Sequence, residues 1–231
     1  ECDDGYLRMH SGNAAVIARH VAAARLYKPY IGMRILDWGC KHGVDAFFVR
    51  AMLGDGVILD GCDFDPPERY ASFYRAACMD YMQLRHPWDL PYADGVFDTV
   101  IASGVIEHVP QTAESLKELW RVLKTDGHLI VTFLPNRRSY TELLSRRTGG
   151  LRHLKLFGIA GFRDILLHHG FEPIAAGYHQ FMPTLAGHGA SRKMQKLAEV
   201  GYRVNDVLER VPFARTFSAN IYMVAQRVES T

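Results

Sequence analysis

The stretch from Arg34 to Gly43, RILDWGCKHG, restricts the fold more than any other part of the chain. A short apolar run, RILDW, stops in a turn carrying Gly39 and Gly43, and a segment of helical spacing follows from Val44 to Leu53. A strand that ends in a glycine turn and feeds a helix is the opening unit of a parallel α/β sheet. Without Cβ atoms, Gly39 and Gly43 let the backbone turn sharply and approach a ligand, and the next helix aims its N–H groups at the same spot. Such a turn accepts a carboxylate or a phosphate equally well.

The unit then repeats in kind. Residues 13–27 read as an amphipathic helix ahead of the first strand, with Asn13 as its candidate cap. VILDGC at 57–62 reads as a second strand, with a short helix beginning after Pro66 and Pro67. A third strand is expected within Cys78 to Leu84. DTVIAS at 98–103 reads as a buried strand, TAESLKELWRVLK at 112–124 is a helix with Thr112 and Ser115 as candidate caps, and GHLIVTFL at 127–134 is a fifth strand. Further strands are expected at 171–180 and 219–228, with a helix over about 190–210 between them. Strands alternating with helices imply right-handed crossovers and parallel pairing. The expected fold is therefore α/β, a doubly wound, seven-stranded and mostly parallel sheet with helices on both faces.

Length and composition bound the rest. The 231 residues, 48% hydrophobic and 23% charged, suit one globular domain spanning 1–231. Its core at about 30–134 forms one half, and 135–231 forms a second half with a lid-like insertion at about 180–217. The formal charge of +2 is too small to argue for nucleic acid as the main partner, although local clusters could still matter, and none is expected. Cys2, Cys40, Cys62 and Cys78 show neither a C-x-x-C pair nor the spacing of a zinc site or disulfide framework, so free thiols in a reducing cytoplasm are expected. No secretory pattern opens the chain, and no apolar run approaches 18 residues. A soluble, cytoplasmic protein is expected.

Ligands of open α/β sheets sit beyond the carboxyl ends of the strands. Asp63 stands there, at the end of the second strand and 20 residues after Gly43, where a carboxylate takes both hydroxyls of a ribose. Asp65 is its near competitor. A glycine turn alone is weak evidence; joined to an acid at this distance, it points to a nucleoside ligand.

RILDWGCKHG, then GCDFDPPE, then DLPYADGVFDTVIASGVIEHVP, then LKELWRVLKTDGHLIVTF resemble, in unbroken order from about 34 to 134, the successive motifs of class I S-adenosylmethionine-dependent methyltransferases. A nicotinamide dehydrogenase would more often show G-x-G-x-x-G, which Gly39 to Gly43 does not satisfy. The resemblance implies S-adenosylmethionine as cofactor. It implies that Asp37, Gly39 and Gly43 line its methionine and ribose side, with Cys40 and Lys41 of the same turn among the cofactor-binding residues, that Asp63 holds the ribose hydroxyls, and that Phe64 packs on adenine. Ser103 and Gly104 would touch the methionyl amine or sulfonium region, and His108 would face the active-site mouth. Two positions depart from the family pattern. Lys41 stands where glycine is common, and its ammonium is read as a partner of the methionyl carboxylate. His86-Pro87-Trp88-Asp89 replaces the usual aspartate at the adenine amine, with Trp88 or Asp89 as substitutes. Gly104 stands where ubiquinone-type members carry a second carboxylate, so no metal is expected.

Methyl transfer to an oxygen usually needs a base, and histidine suits that role. His108, His153 and His179 lie in segments expected to face the substrate, and His108 and His153 are the candidate catalytic residues. Each has a plain alternative as a surface or packing histidine. Arg137, Arg138, Arg146, Arg147, Arg152, Lys155 and Arg163 crowd 137–163 among leucines. A solvated face is the default, and contact with an anionic carrier or a peripheral membrane is the functional alternative. The expected function is methyl transfer to an oxygen or nitrogen of a small molecule: lipid-like, sugar or secondary metabolite. The alternatives are an RNA or protein methyltransferase and a catalytically inactive S-adenosylmethionine-binding regulator.

Overall fold

The computed structural model describes residues 14–148, 153, 155–181, 200–201, 203–205 and 207–229. Helix α1 (Ala14–Tyr27) leads into β1 (Arg34–Trp38), α2 (Val44–Leu53), β2 (Ile58–Asp63), α3 (Ala71–Ala76) and β3 (Met79–Gln83). Then follow β4 (Phe97–Ser103), α4 (Thr112–Val122), β5 (Leu123–Pro135), α5 (Tyr140–Thr148), α6 (Ile159–His168), β6 (Phe171–His179), α7 (Pro212–Arg215) and β7 (Asn220–Arg227). One seven-stranded sheet runs β3-β2-β1-β4-β5-β7-β6. It is parallel except at β7, which lies antiparallel to both β5 and β6.

Alternation of side chains divides the core into two layers. Leu36, Trp38, Val100, Ala102, Leu129 and Val131 face one side, where Leu116 and Leu119 of α4 and Phe162 and Leu166 of α6 cover them. Ile35, Ile101 and Ile130 point the other way, against Ala23, Ala24 and Tyr27 of α1 and Ala46 and Val49 of α2. A strand covered on both faces has no solvent side to show, which is why RILDW and DTVIAS carry adjacent apolar residues rather than an alternation of apolar and polar ones. Complete burial of a side chain such as Leu36 or Ile101 contributes about 1.5–3 kcal/mol.

The elements depart from the sequence expectations in places that have physical causes. Neither Thr112 nor Ser115 caps α4. Gln111 holds the cap position, the Ser115 side chain is buried, and the Thr112 hydroxyl bonds back to the Val109 carbonyl at 3.3 Å. Strand β5 starts at Leu123 rather than Gly127, because Leu123 is already extended (φ −72°, ψ 145°) and pairs with Phe97. Its register slips between Val131 and Leu134, and Phe133 there has φ +54°. Such a bulge re-aims a side chain: Phe133 stands 5.0 Å from the His20 ring and 5.3 Å from the His179 ring. The expected helix at 190–210 lies partly outside the described residues; within them, 200–201, 203–205 and 207–208 are helical. Asn13, Arg152 and residues 182–199 of the expected insertion also lie outside.

Chain order reverses at β1, with β2 on one side and β4 on the other. Such a switch point opens a crevice at the carboxyl ends of the strands.

Candidate ligand-binding cleft

A cleft of about 540 Å³ opens at that crevice, within the 300–1,000 Å³ range of small-molecule sites. Pairing of Trp38 with Cys62 brings the turn after β1 against the end of β2, and the Gly39 and Cys40 amides both donate to the Cys62 carbonyl, at 2.8 and 3.2 Å. Gly39 has φ +73°, and a Cβ there would lie 2.5 Å from Cγ2 of Val105, so glycine is needed for both backbone and space. Lys41 takes φ +47°, an uncommon conformation for a side chain of that size.

Backbone bonds hold Asp63 in place. Its Oδ2 accepts from the Lys41 amide at 2.7 Å and its Oδ1 from the Phe64 amide at 2.6 Å. An ionised carboxylate has about four acceptor positions, so each oxygen keeps capacity for a ligand donor. Burial raises the Asp63 pKa, against these two amides. Asp65, by contrast, pairs with Arg69 at 2.6 Å and does not border the cleft. Geometry therefore separates two acids that sequence left in competition.

Deeper in the cleft lie Asp37 and Asp45. Burial, followed by the neighbouring Asp45 charge, pushes the Asp37 carboxyl well up, although the Ala46 amide at the start of α2 donates to it at 3.2 Å. Asp45 is also buried, but donors at His20, Ser103 and Tyr27 outweigh that and hold it below its usual value. The Tyr27 hydroxyl is 3.1 Å from Asp45 Oδ1 and His20 Nδ1 is 3.9 Å away. Asp45 carries the negative charge of the pair, which suits the inner end of the cleft to a cation. One α2 amide expected to serve the ligand is thus taken by Asp37.

Cys40, Lys41, Phe64, Trp88, Ser103, Gly104 and His108 all border the cleft, with Asp37, Gly39 and Asp63. Phe64 is 50% exposed, leaving a ring face for a planar ligand group. Trp88 stacks on His86 with ring centres 5.1 Å apart. Gly43, Asp89 and His153 do not border it. Burial pushes the Cys40 and Cys62 thiols up, which makes them poor nucleophiles. His179 is 2% exposed, and burial lowers its pKa to about 4, so it remains a neutral packing residue. Sequence reasoning missed His20, His42 and Asp45, which also border the cleft. Asp45 carried no distinctive signal, because an acid in the first turn of a helix ordinarily answers the helix dipole. Within the basic segment, Lys155 is committed to the Val109 carbonyl and to the Thr112 hydroxyl at 3.0 Å rather than to a solvated face.

At the mouth, Glu107 is 7% exposed, and burial, opposed by its own amide and by His153, pushes its pKa up to about 7. The folded chain therefore keeps this proton from about pH 4.5 to about pH 7, whereas the unfolded chain has released it. Unfolding free energy should fall as pH rises through that window and level off above it, and Glu107→Gln should flatten the fall. Urea midpoints of both proteins across the window check this.

Among the described residues, no group of three or more His, Cys, Asp or Glu is placed to hold a metal ion, and no helix is long and apolar enough to cross a membrane.

Comparison with known proteins bears on this cleft. Residues 36–131 match a family model described as a methyltransferase domain. The chain is similar to a demethylmenaquinone methyltransferase of Streptomyces griseus, at 30% identity over 58% of this chain and 59% of that protein. It is also similar to a ubiquinone/menaquinone biosynthesis C-methyltransferase of Geotalea uraniireducens, at 30% identity over 43% of this chain and 45% of that one. The chain thus spans about half the length of these curated relatives. In fold it is similar to Burkholderia thailandensis 1,6-didemethyltoxoflavin-N1-methyltransferase, whose crystal structure holds 1,6-didemethyltoxoflavin and S-adenosylhomocysteine. The TM-score is 0.60 at 14% identity, over 95% of this chain and 80% of that one.

Proposed function

We propose, from the match of residues 36–131 to a methyltransferase domain, that the chain is of the class I, S-adenosylmethionine-dependent type and transfers the methyl group of S-adenosylmethionine to a small-molecule acceptor. The observation that carries this reading is Asp63, an acid held by two backbone amides at the end of β2 with lone pairs to spare for a ribose. The remaining donor set fits the same cofactor. The Asp37–Asp45 pair suits the methionyl ammonium, Phe64 and Trp88 offer ring faces to adenine, and Gly39 and Gly104 leave room for close approach.

Bound S-adenosylmethionine supplies an electrophilic methyl group on a sulfonium. The work of the chain is to orient the acceptor and exclude water, which accounts for much of the barrier in such displacements. An oxygen or nitrogen nucleophile also has to lose a proton. His108 borders the cleft with an exposed side chain, and burial, then His153, lowers its pKa. It is neutral near pH 7 and suited to accept a proton.

A second reading, transfer to a carbon, is favoured by the name of one relative, a ubiquinone/menaquinone biosynthesis C-methyltransferase. Deprotonating a ring hydroxyl makes the adjacent carbon nucleophilic, so the same base serves both readings.

Calorimetric titration with S-adenosylmethionine and S-adenosylhomocysteine, followed by transfer of labelled methyl to demethylated naphthoquinols, phenols and amines, tests the proposal. Binding with label in any of these supports it, and the labelled atom separates oxygen, nitrogen and carbon. Binding without transfer to any of them turns the reading toward an inactive cofactor-binding protein. Failure to bind either cofactor sinks both.

Lys41 is the site of a smaller prediction. Its backbone holds the turn through the amide to Asp63 and through its carbonyl, which accepts the Tyr74 hydroxyl at 2.6 Å. Lys41→Ala keeps both bonds and removes the side chain beyond Cβ, including the ammonium, whose pairing with a ligand carboxylate at a partly exposed site is worth about 1 kcal/mol. Cofactor affinity should drop roughly fivefold. An unchanged dissociation constant would show that the ammonium does not engage the methionyl carboxylate.

A further inference from the structure

Two buried carboxyls, one of them next to cleft-lining residues, have no role in the binding just described. Glu107 sits in the short turn Ile106–His108 that follows β4, and its Oε2 has no hydrogen-bond partner. Glu142, in the first turn of α5, is 6% exposed, and its Oε2 also lacks a partner. Folds rarely bury carboxyl oxygens without donors, since each costs free energy that packing does not return. Such groups are retained where chemistry uses them.

Their surroundings point the same way. Oε1 of Glu107 lies 3.7 Å from where a Cβ on Gly104 would stand, and Gly104, Val105 and His108 all border the cleft. The missing side chain at Gly104 leaves the Glu107 carboxyl directly behind the cleft wall. On the facing segment, Nδ1 of His153 stands 2.5 Å from Oε1 of Glu142, which directs the other ring nitrogen away from Glu142. Lys155 ties that segment alongside Glu107 through the Val109 and Pro110 carbonyls. The charged and titratable groups facing Glu107 are His108, 3.8 Å away on its own turn, and the His153–Glu142 pair; Phe133 of β5 brings no charge.

On the reading of the chain as a small-molecule methyltransferase, we propose that Glu107, in place of the neighbouring His108, accepts the proton of the methyl acceptor, and that Glu142 positions His153 to pass that proton to solvent. The acceptor's X–H bond breaks, its electron pair stays on X, and the proton forms the neutral acid at Glu107. From there the proton moves to Nε2 of His153, while Nδ1–H remains bonded to Glu142, and then to water. Glu107 is the catalytic residue and Glu142 a positioning residue. A carboxyl that titrates near neutrality populates both of the forms this cycle needs.

The test uses the full chain with Glu107→Gln and Glu142→Gln. Calorimetry with S-adenosylhomocysteine is expected to stay within about threefold of wild type for both, which shows an intact cofactor site. Carbon-13 NMR of labelled glutamate carboxyls should show one group titrating near pH 7 that is absent from Glu107→Gln. If every carboxyl titrates below about pH 5.5, the proposal is overturned without reference to any acceptor. With a demethylated naphthoquinol or another acceptor that wild type methylates, Glu107→Gln should lower kcat about a hundredfold or more at pH 7. Glu142→Gln should lower kcat about tenfold and displace the acid limb of its pH profile, which a purely structural role would leave in place. Wild-type turnover with Glu107→Gln within about threefold overturns the proton-acceptor role. A wild-type protein that binds S-adenosylhomocysteine but methylates none of these acceptors overturns the underlying reading instead.

Discussion

Asp63→Ala is expected to weaken binding of S-adenosylmethionine by roughly a hundred- to ten-thousandfold in calorimetric titration. On the proposed reading the carboxylate accepts from two ribose hydroxyls, and a hydrogen bond to a charged group contributes about 1.5–3 kcal/mol, so about 3–6 kcal/mol is lost. The substitution also releases the Lys41 and Phe64 amides that orient the turn. Asp65→Ala is the control, since that acid pairs with Arg69 away from the cleft, and it should leave affinity within about threefold. Protonation removes acceptor capacity from Asp63. Because burial raises its pKa, affinity should be complete above that raised value and fall as pH drops through it, earlier than for an exposed aspartate. Equal effects of Asp63→Ala and Asp65→Ala would refute the assignment of the ribose site.

Gly39→Ala should be the most damaging single-methyl change in the cleft. At φ +73° an L-residue costs about 1–2 kcal/mol. The new Cβ would also meet the two methyl carbons of Val105 at 2.5 and 2.9 Å, and overpacking of that kind costs about 1–3 kcal/mol. Together they predict a loss of about 2–5 kcal/mol, divided between the urea midpoint and cofactor affinity. Adding Val105→Ala should recover the steric part and leave the backbone part, so the double-mutant cycle separates the two. An additive cycle would show that the turn does not press on Val105.

The family motifs and most strands were legible because parallel strands buried on both faces leave a strong local record. Leu36, Val100 and Leu129 serve one layer while Ile35, Ile101 and Ile130 serve the other, so apolar residues stand side by side instead of alternating with polar ones. The start of β5 was misread because Leu123 continues the helical spacing of α4 and changes only its backbone angles, and no glycine marks the stop. The bulge at Phe133 was invisible for a related reason. An aromatic at positive φ runs against local preference and is sustained by its packing against His20 and His179, which come from α1 and β6.

By itself, the sequence determined the α/β class, the order of its elements, and the position of Gly39 and Asp63 at strand ends. Those features follow from hydrophobic period and from the conformational freedom of glycine, both of which act over a few residues. Only the tertiary structure put Asp63 and not Asp65 on the cleft, set Asp45 and His20 in its lining, and buried Glu107 and Glu142 with one oxygen each lacking a donor. Those outcomes depend on which distant groups supply donors or withhold water, and neither burial nor charge balance between segments separated in the chain is written in local pattern.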